Sequence, residues 1–210
     1  MLSDGTELKG QVRFDDRLGI LGYKEGEESK SLTPRRVMAF EFFDKRINKQ
    51  RFFYTLEEED PKTQMKKPYF FEVLKDFKTF AVIAKIDPVQ IEEKGGSTGY
   101  SSQSTTREVS NWSSTSYKEV IRQKETIYFM NESGQIEPYL QVTRKVVDRA
   151  MYDRDKKKKR VLDGDVIQRY FTPTELQAMD KFADEKELDF EVKEELLQIL
   201  DYADVLRSKK

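Results

Sequence analysis

From Thr6 to about Tyr139 the apolar residues of this chain recur at every second position in short runs, the period of strands buried on one face. In "ELKGQVRF", Leu8, Gly10, Val12 and Phe14 alternate with Glu7, Lys9, Gln11 and Arg13. "RLGILGY" follows after an Asp-Asp turn, which predicts a hairpin. "RVMAFEFF", led in by "SLTP", and "QRFFYTL", after the charged turn around "DKRINK", read as a third and a fourth strand. "PYFFEVL" and "KTFAVIAKI" predict a hairpin around "KDF", and its second arm, apolar on both faces, belongs at the centre of a sheet. "KETIYFM" and "QIEPYL" flank "NESG", a short turn ending in glycine. About eight short strands in meander order predict an antiparallel sheet, curled or folded as a sandwich.

Past Tyr139 the period changes. "LQVTRKVVDRAMY" sets Leu140, Thr143, Val147, Ala150 and Met151 near one face of a helix. "FTPTELQAMDKFADEKEL" opens with Thr172 at N-cap, Pro173 at N1 and Glu175 at N3, a capping box with proline where a helix tolerates it. Leu176, Met179, Phe182 and Ala183 form the stripe it would bury. Asp189 is placed to cap a last helix through Val192, Leu196, Ile199, Leu200 and Ala203. The chain therefore reads as α+β, with a β-rich domain over residues 1–139 and a helical segment over residues 140–210 packed on it as a hairpin.

One stretch, "GGSTGYSSQSTTREVSNWSSTSYK", fits neither period. Of the 21 residues from Ser97 to Tyr117, 12 are serine or threonine, too polar to offset the entropy of ordering them. Strand signals flank it on both sides, so it is expected to be a long mobile loop at 95–118 inside the β-rich part. Tyr100, Trp112 and Tyr117 are the residues on it that are suited to contact a partner.

The chain has no cysteine and no histidine. That removes disulfides, thiol nucleophiles, Ser-His-Asp and Cys-His machinery and nearly every structural zinc site. Hard-cation sites built from carboxylates, carboxylate pairs and Ser-Lys arrangements survive the filter. A net charge of −1 supplies no global field toward nucleic acid or an acidic membrane. "DRDKKKKR" is the strong basic cluster, but Asp153, Asp155, Asp163 and Asp165 flank it and the aromatic interleaving of single-strand binders is missing, so it reads as a solvated turn or helix end. "LDGDV" and "DRD" lack the EF-hand spacing and read as turns.

Glu41 in "AFEFF" and Glu72 in "FFEVL" are the natural candidates for an acid–base pair. Alternation puts each on the face opposite its aromatic neighbours, and so in solvent. The aromatics of "EFF", "RFFY" and "PYFFEV" read first as core and cross-strand pairs, with a ligand pocket as the alternative. No catalytic residues, metal ligands or cofactor emerge.

The order of "SDGTELKGQVRF", "SLTPRRVMAFEFF", "YFFEVLKDFKTFAVIAKI", "ETIYFMNESGQIEPY" and "FTPTELQAMDKF" resembles a diffuse group of exported proteins of unknown function from Bacteroidota. The likeness runs through turns, glycines and apolar alternation, and carries no catalytic residue. It implies a periplasmic or outer-membrane-associated protein without enzymatic activity, acting by binding or scaffolding, with envelope proteins or glycans as partners and no nucleic acid. On this reading Met1 replaces a removed signal peptide; a cytosolic protein is the alternative. No run of 18 apolar residues is present to span a bilayer as a helix. Two other functions remain open from the residues: a small-molecule or glycan carrier using an aromatic pocket, and an enzyme built on a carboxylate pair.

Overall fold

The structure is a computed structural model that describes residues 1–16, 18–45, 47–59, 63–87, 90–95, 117–146 and 158–208, with 90–95, 117–122, 144–146 and 158 described by their backbone alone. Two open antiparallel sheets and C-terminal helices make an α+β fold. The smaller sheet is a meander of β1 (Gln11–Asp15), β2 (Ile20–Glu25) and β3 (Glu28–Leu32). Its first hairpin turns at the Asp-Asp pair, as expected. β3 went unread in the sequence because four of its five residues, Glu28 to Ser31, are polar and exposed, and Leu32 alone is buried.

The larger sheet is built from β4 (Ala39–Asp44), β5 (Lys49–Glu59), β6 (Lys66–Asp76), β7 (Phe80–Ile86), β8 (Gln90–Gly95), β9 (Tyr117–Asn131), β10 (Ile136–Val146) and β11 (Lys158–Val161). Its order is β11-β10-β9-β7-β6-β5-β4, and β8 lies beyond β7 on the same side of β9. The doubly apolar run became β7, central and buried throughout Phe80–Lys85. The "NESG" turn closes as predicted: Gly134 takes φ +79°, and Asn131 Oδ1 accepts the Ser133 and Gln135 amides at 3.1 and 3.0 Å.

Residues 140–146 are strand rather than helix, a correction to the expected boundary at Tyr139. β10 stays paired with β9 as far as Val146↔Ile121. Leu140 fits a helical stripe with Thr143 and a period of two with Val142, and the ladder with β9 and β11 decides between them. Residues 147–157, with the rest of that expected helix, lie outside the described residues.

One register row crosses the sheet through Phe40, Phe53, Glu72, Ala84, Ile127, Leu140 and Val161. Two covers share this face. The small sheet lies over the β4–β6 end, where Leu21, Tyr23 and Leu32 pack with Val37, Phe53 and Phe70. Phe14 seals the contact with its ring 4.8 Å from that of Phe53 and 5.6 Å from that of Phe40. The helices lie over the β7–β10 end: α1 (Val166–Tyr170), α2 (Pro173–Lys186) and α3 (Lys193–Ser208). None of these is long and apolar enough to cross a membrane.

α2 starts as its sequence demands, with both bonds of the capping box present between Thr172 and Glu175. Met179 and Ala183 are buried from its expected stripe, and Leu196, Ile199, Leu200 and Ala203 from that of α3. Asp189 does not cap α3. It accepts the Glu191 amide at 2.8 Å in a turn ahead of the helix. Arg207, in the last turn of α3, returns to the start of α2 and grips Glu175 through Nε and Nη2, each 3.1 Å from a carboxylate oxygen. Its guanidinium lies 4.7 Å from the Phe171 ring centroid and 5.3 Å from that of Phe80.

Arg207 and the capping-box bonds, working against burial, depress Glu175 to a pKa of about 2 from the usual 4.5. A depressed carboxylate contributes stability above its unfolded pKa and loses it as pH falls toward the folded value. Glu175→Gln is therefore expected to lower the thermal midpoint by a constant amount above about pH 4.5, with the gap from the parent closing between there and about pH 2. A gap independent of pH in that window would show that the carboxylate charge is not what holds the helices.

The opposite face of the sheet is concave. Tyr128 Oη of β9 donates to Glu58 Oε1 of β5 at 2.6 Å. Counted along the ladders, these residues lie three strands and six residues apart, about 25 Å on a flat sheet, beyond the reach of the two side chains. The sheet must coil for that bond to form, and Phe71, Ala81, Ile83 and Tyr128 are buried within the coil.

Candidate functional site

Three features of this fold have the composition of a site. The first is the ionic cluster on the concave face. Lys85, buried in β7, lies 3.0 Å from Asp87, contacts Glu58, and sits 4.6 Å from the Tyr69 ring centroid. Burial pulls the Lys85 amine down, but Asp87 and Glu58 outweigh it and leave the pKa raised. Burial and the bond to Glu58 raise Tyr128 as well. Through Glu58 the cluster ties β5 to β7 and β9.

The second is a correction. Glu72 was expected in solvent and is 9% exposed. The alternation was right, since Glu72 does oppose Phe71, but both faces of β6 are covered at this point. Arg51 lies diagonal to it on β5 and donates through Nε and Nη2, both at 2.8 Å, while Nη1 reaches Asp44 at 3.3 Å. The guanidinium sits 5.0 Å from the Phe53 ring centroid and 5.7 Å from that of Phe42. Glu41, the other candidate acid, is exposed on β4 as expected. Among the described residues Arg51, Lys75, Lys85 and Arg169 each bridge two carboxylates.

The third is a cleft of about 600 Å³ between the lead-in to β1 and the edge of β4. Among the described residues β1 is laddered with β2 alone and β4 with β5 alone, and Met1 and Leu2 lie against the start of the outer β4 edge at Val37–Ala39. Phe40 and Phe53 line the cleft from the covered face, and Phe52 and Tyr54 from the other. Gly10 forms part of its wall: a Cβ there would stand 2.6 Å from the Lys24 carbonyl, so only glycine lets the chain lie this close to β2. Beside the cleft the coil has opened out. Phe43 is 53% exposed, Phe52 45% and Tyr54 51%. Three large aromatics at one sheet edge form the kind of exposed patch that marks contact with a partner.

Of the residues expected to bind, Tyr100 and Trp112 lie outside the described residues, as do residues 96–116 of the expected loop at 95–118. Tyr117 opens β9 opposite Gly95 at the end of β8, so that polar stretch joins two paired antiparallel strands. Asp163 of "LDGDV" accepts the Asp165 amide at 3.0 Å and holds Arg169, in a turn that leads into α1. Lys158–Arg160 of the basic cluster form most of β11, and 153–157 lie outside the described residues. The aromatics of "EFF" and "RFFY" were read first as core, with a pocket as the alternative, and they divide: Phe40, Phe42 and Phe53 pack in the core, whereas Phe43, Phe52 and Tyr54 are exposed. Comparison of the chain with protein-family models, with curated proteins and with solved structures finds no match in any of the three.

Proposed function

We propose that this chain is a binding protein without catalytic activity, and that its contact surface is the β1–β4 cleft with the aromatic edge beside it. The observation that carries this reading is the exposure of Phe43, Phe52 and Tyr54 next to the outer edges of β1 and β4, the second covered only at its start by Met1 and Leu2. Buried aromatics elsewhere in the fold are packed to completion; these are not. The resemblance to exported Bacteroidota proteins supports an envelope setting, with envelope proteins as the partners.

A glycan or small molecule is the second reading. It is favoured by the volume of the cleft, which falls within the range of about 300–1,000 Å³ typical of ligand pockets, and by aromatic faces on which a sugar ring can stack. A photo-crosslinking amino acid at Phe52, compared with one at exposed Lys181 on α2, separates the two in living cells. The proposal expects a discrete polypeptide adduct from position 52 and none from position 181. A carbohydrate adduct would transfer the site to the second reading, and no adduct of either kind would count against both.

A further inference from the structure

We infer that the cleft takes an extended peptide segment of its partner as an added β-strand on the free edge of β4. This rests on the binding reading above and names its mode. The chain's own N-terminal residues already lie on this edge in that manner. The Met1 amine donates to the Ala39 carbonyl at 2.7 Å, and the Met38 and Ala39 amides donate to the Met1 carbonyl at 3.0 and 3.3 Å. Leu2 forms an antiparallel bridge with Val37. Both backbone groups of Ala39 thus point away from β5. In an antiparallel ladder that direction alternates with every residue, so Glu41 and Phe43 present their N–H and C=O groups to the same side.

Among the described residues, neither has a backbone partner on that side. A row of unpaired donors and acceptors at strand spacing matches the backbone of another extended chain, and a sugar or a helix matches it poorly. The cleft holds that chain between the lead-in to β1 and the β4 edge, with Phe52 in the same cross-strand row as Glu41 and Tyr54 lining the cleft beside it. Glu7, Lys9 and Glu41 line it with both signs of charge, which favours a segment without a strong charge of its own.

The test is amide hydrogen exchange of the isotope-labelled full chain, read by NMR. The probe is an acetylated seven-residue peptide of alternating valine and threonine, compared with the same peptide N-methylated at alternate residues. At saturating peptide, the Glu41 and Phe43 amides are expected to exchange at least tenfold more slowly, and the N-methylated peptide is expected to give no protection. Unchanged exchange at both amides would overturn strand addition, as would equal protection by the N-methylated peptide. Protection that grows with protein concentration in the absence of peptide would assign the edge to a second copy of this chain instead. Failure here beside a polypeptide adduct at position 52 would refute the mode and leave the binding reading standing. Failure in both would remove the two together.

Discussion

Arg51→Met is expected to destabilise the protein by about 3–5 kcal/mol in denaturant unfolding, because it removes the cation that bridges two buried carboxylates. Asp44 and Glu72 are both buried, and the Arg51 guanidinium is the group that bridges them. Removing the arginine takes the bridging cation away from two carboxylates that are both buried. Folded domains are stable by only about 5–15 kcal/mol, so this single change removes a large share. Adding Glu72→Met to the variant is expected to restore part of the loss, since one of the two buried carboxylates disappears and a methionine fits beside Phe53. An Arg51→Met protein within about 1 kcal/mol of the parent would mean that the cluster is wetter and weaker than its geometry implies.

Phe129→Ala should cost about as much, roughly 3–5 kcal/mol, through a different mechanism. Phe129 is fully buried where the sheet meets the helices, with ring centroids at 5.1 Å from Tyr170, 5.6 Å from Tyr139 and 6.0 Å from Phe80. Truncation opens a cavity that strand and helices, each fixed by its own hydrogen bonds, cannot collapse to fill. Phe43→Ala is the matched control: the same chemical deletion at a half-exposed edge position is expected to change stability by no more than about 0.5 kcal/mol. Equal losses at the two positions would contradict the division between core and contact aromatics.

That division shows where the sequence could be read and where it could not. The capping box at Thr172–Glu175, the "NESG" turn and the hairpin of β6 and β7 depend on neighbours within a few residues, and each formed as its residues indicated. β3 has no apolar period to announce it and exists because β2 offers it a ladder. The strand after Tyr139 was obscured because Leu140 suits a helical stripe with Thr143 as well as a strand's alternation with Val142. For Glu72, alternation settles which face a side chain takes, whereas burial depends on what covers that face, here a sheet whose strands end 40 residues earlier in the chain. Phe52 and Phe53 are adjacent and chemically identical. One is exposed and the other core, because they point to opposite faces of β5 and the small sheet packs over that of Phe53. Which face is covered is a property of topology and leaves no local mark. Lys85 was hidden likewise, its partner Glu58 standing 27 residues away.

The account's central claim is that the edge aromatics serve a partner and not the fold. The most direct test is the double variant Phe52→Ser/Tyr54→Ser, measured for unfolding midpoint and for affinity toward the valine–threonine peptide. Both positions are about half exposed, so the midpoint should hold. Affinity should fall at least tenfold, since truncating aromatic anchors at a contact typically costs about 2 kcal/mol or more. Unchanged affinity with an intact fold would contradict the claim.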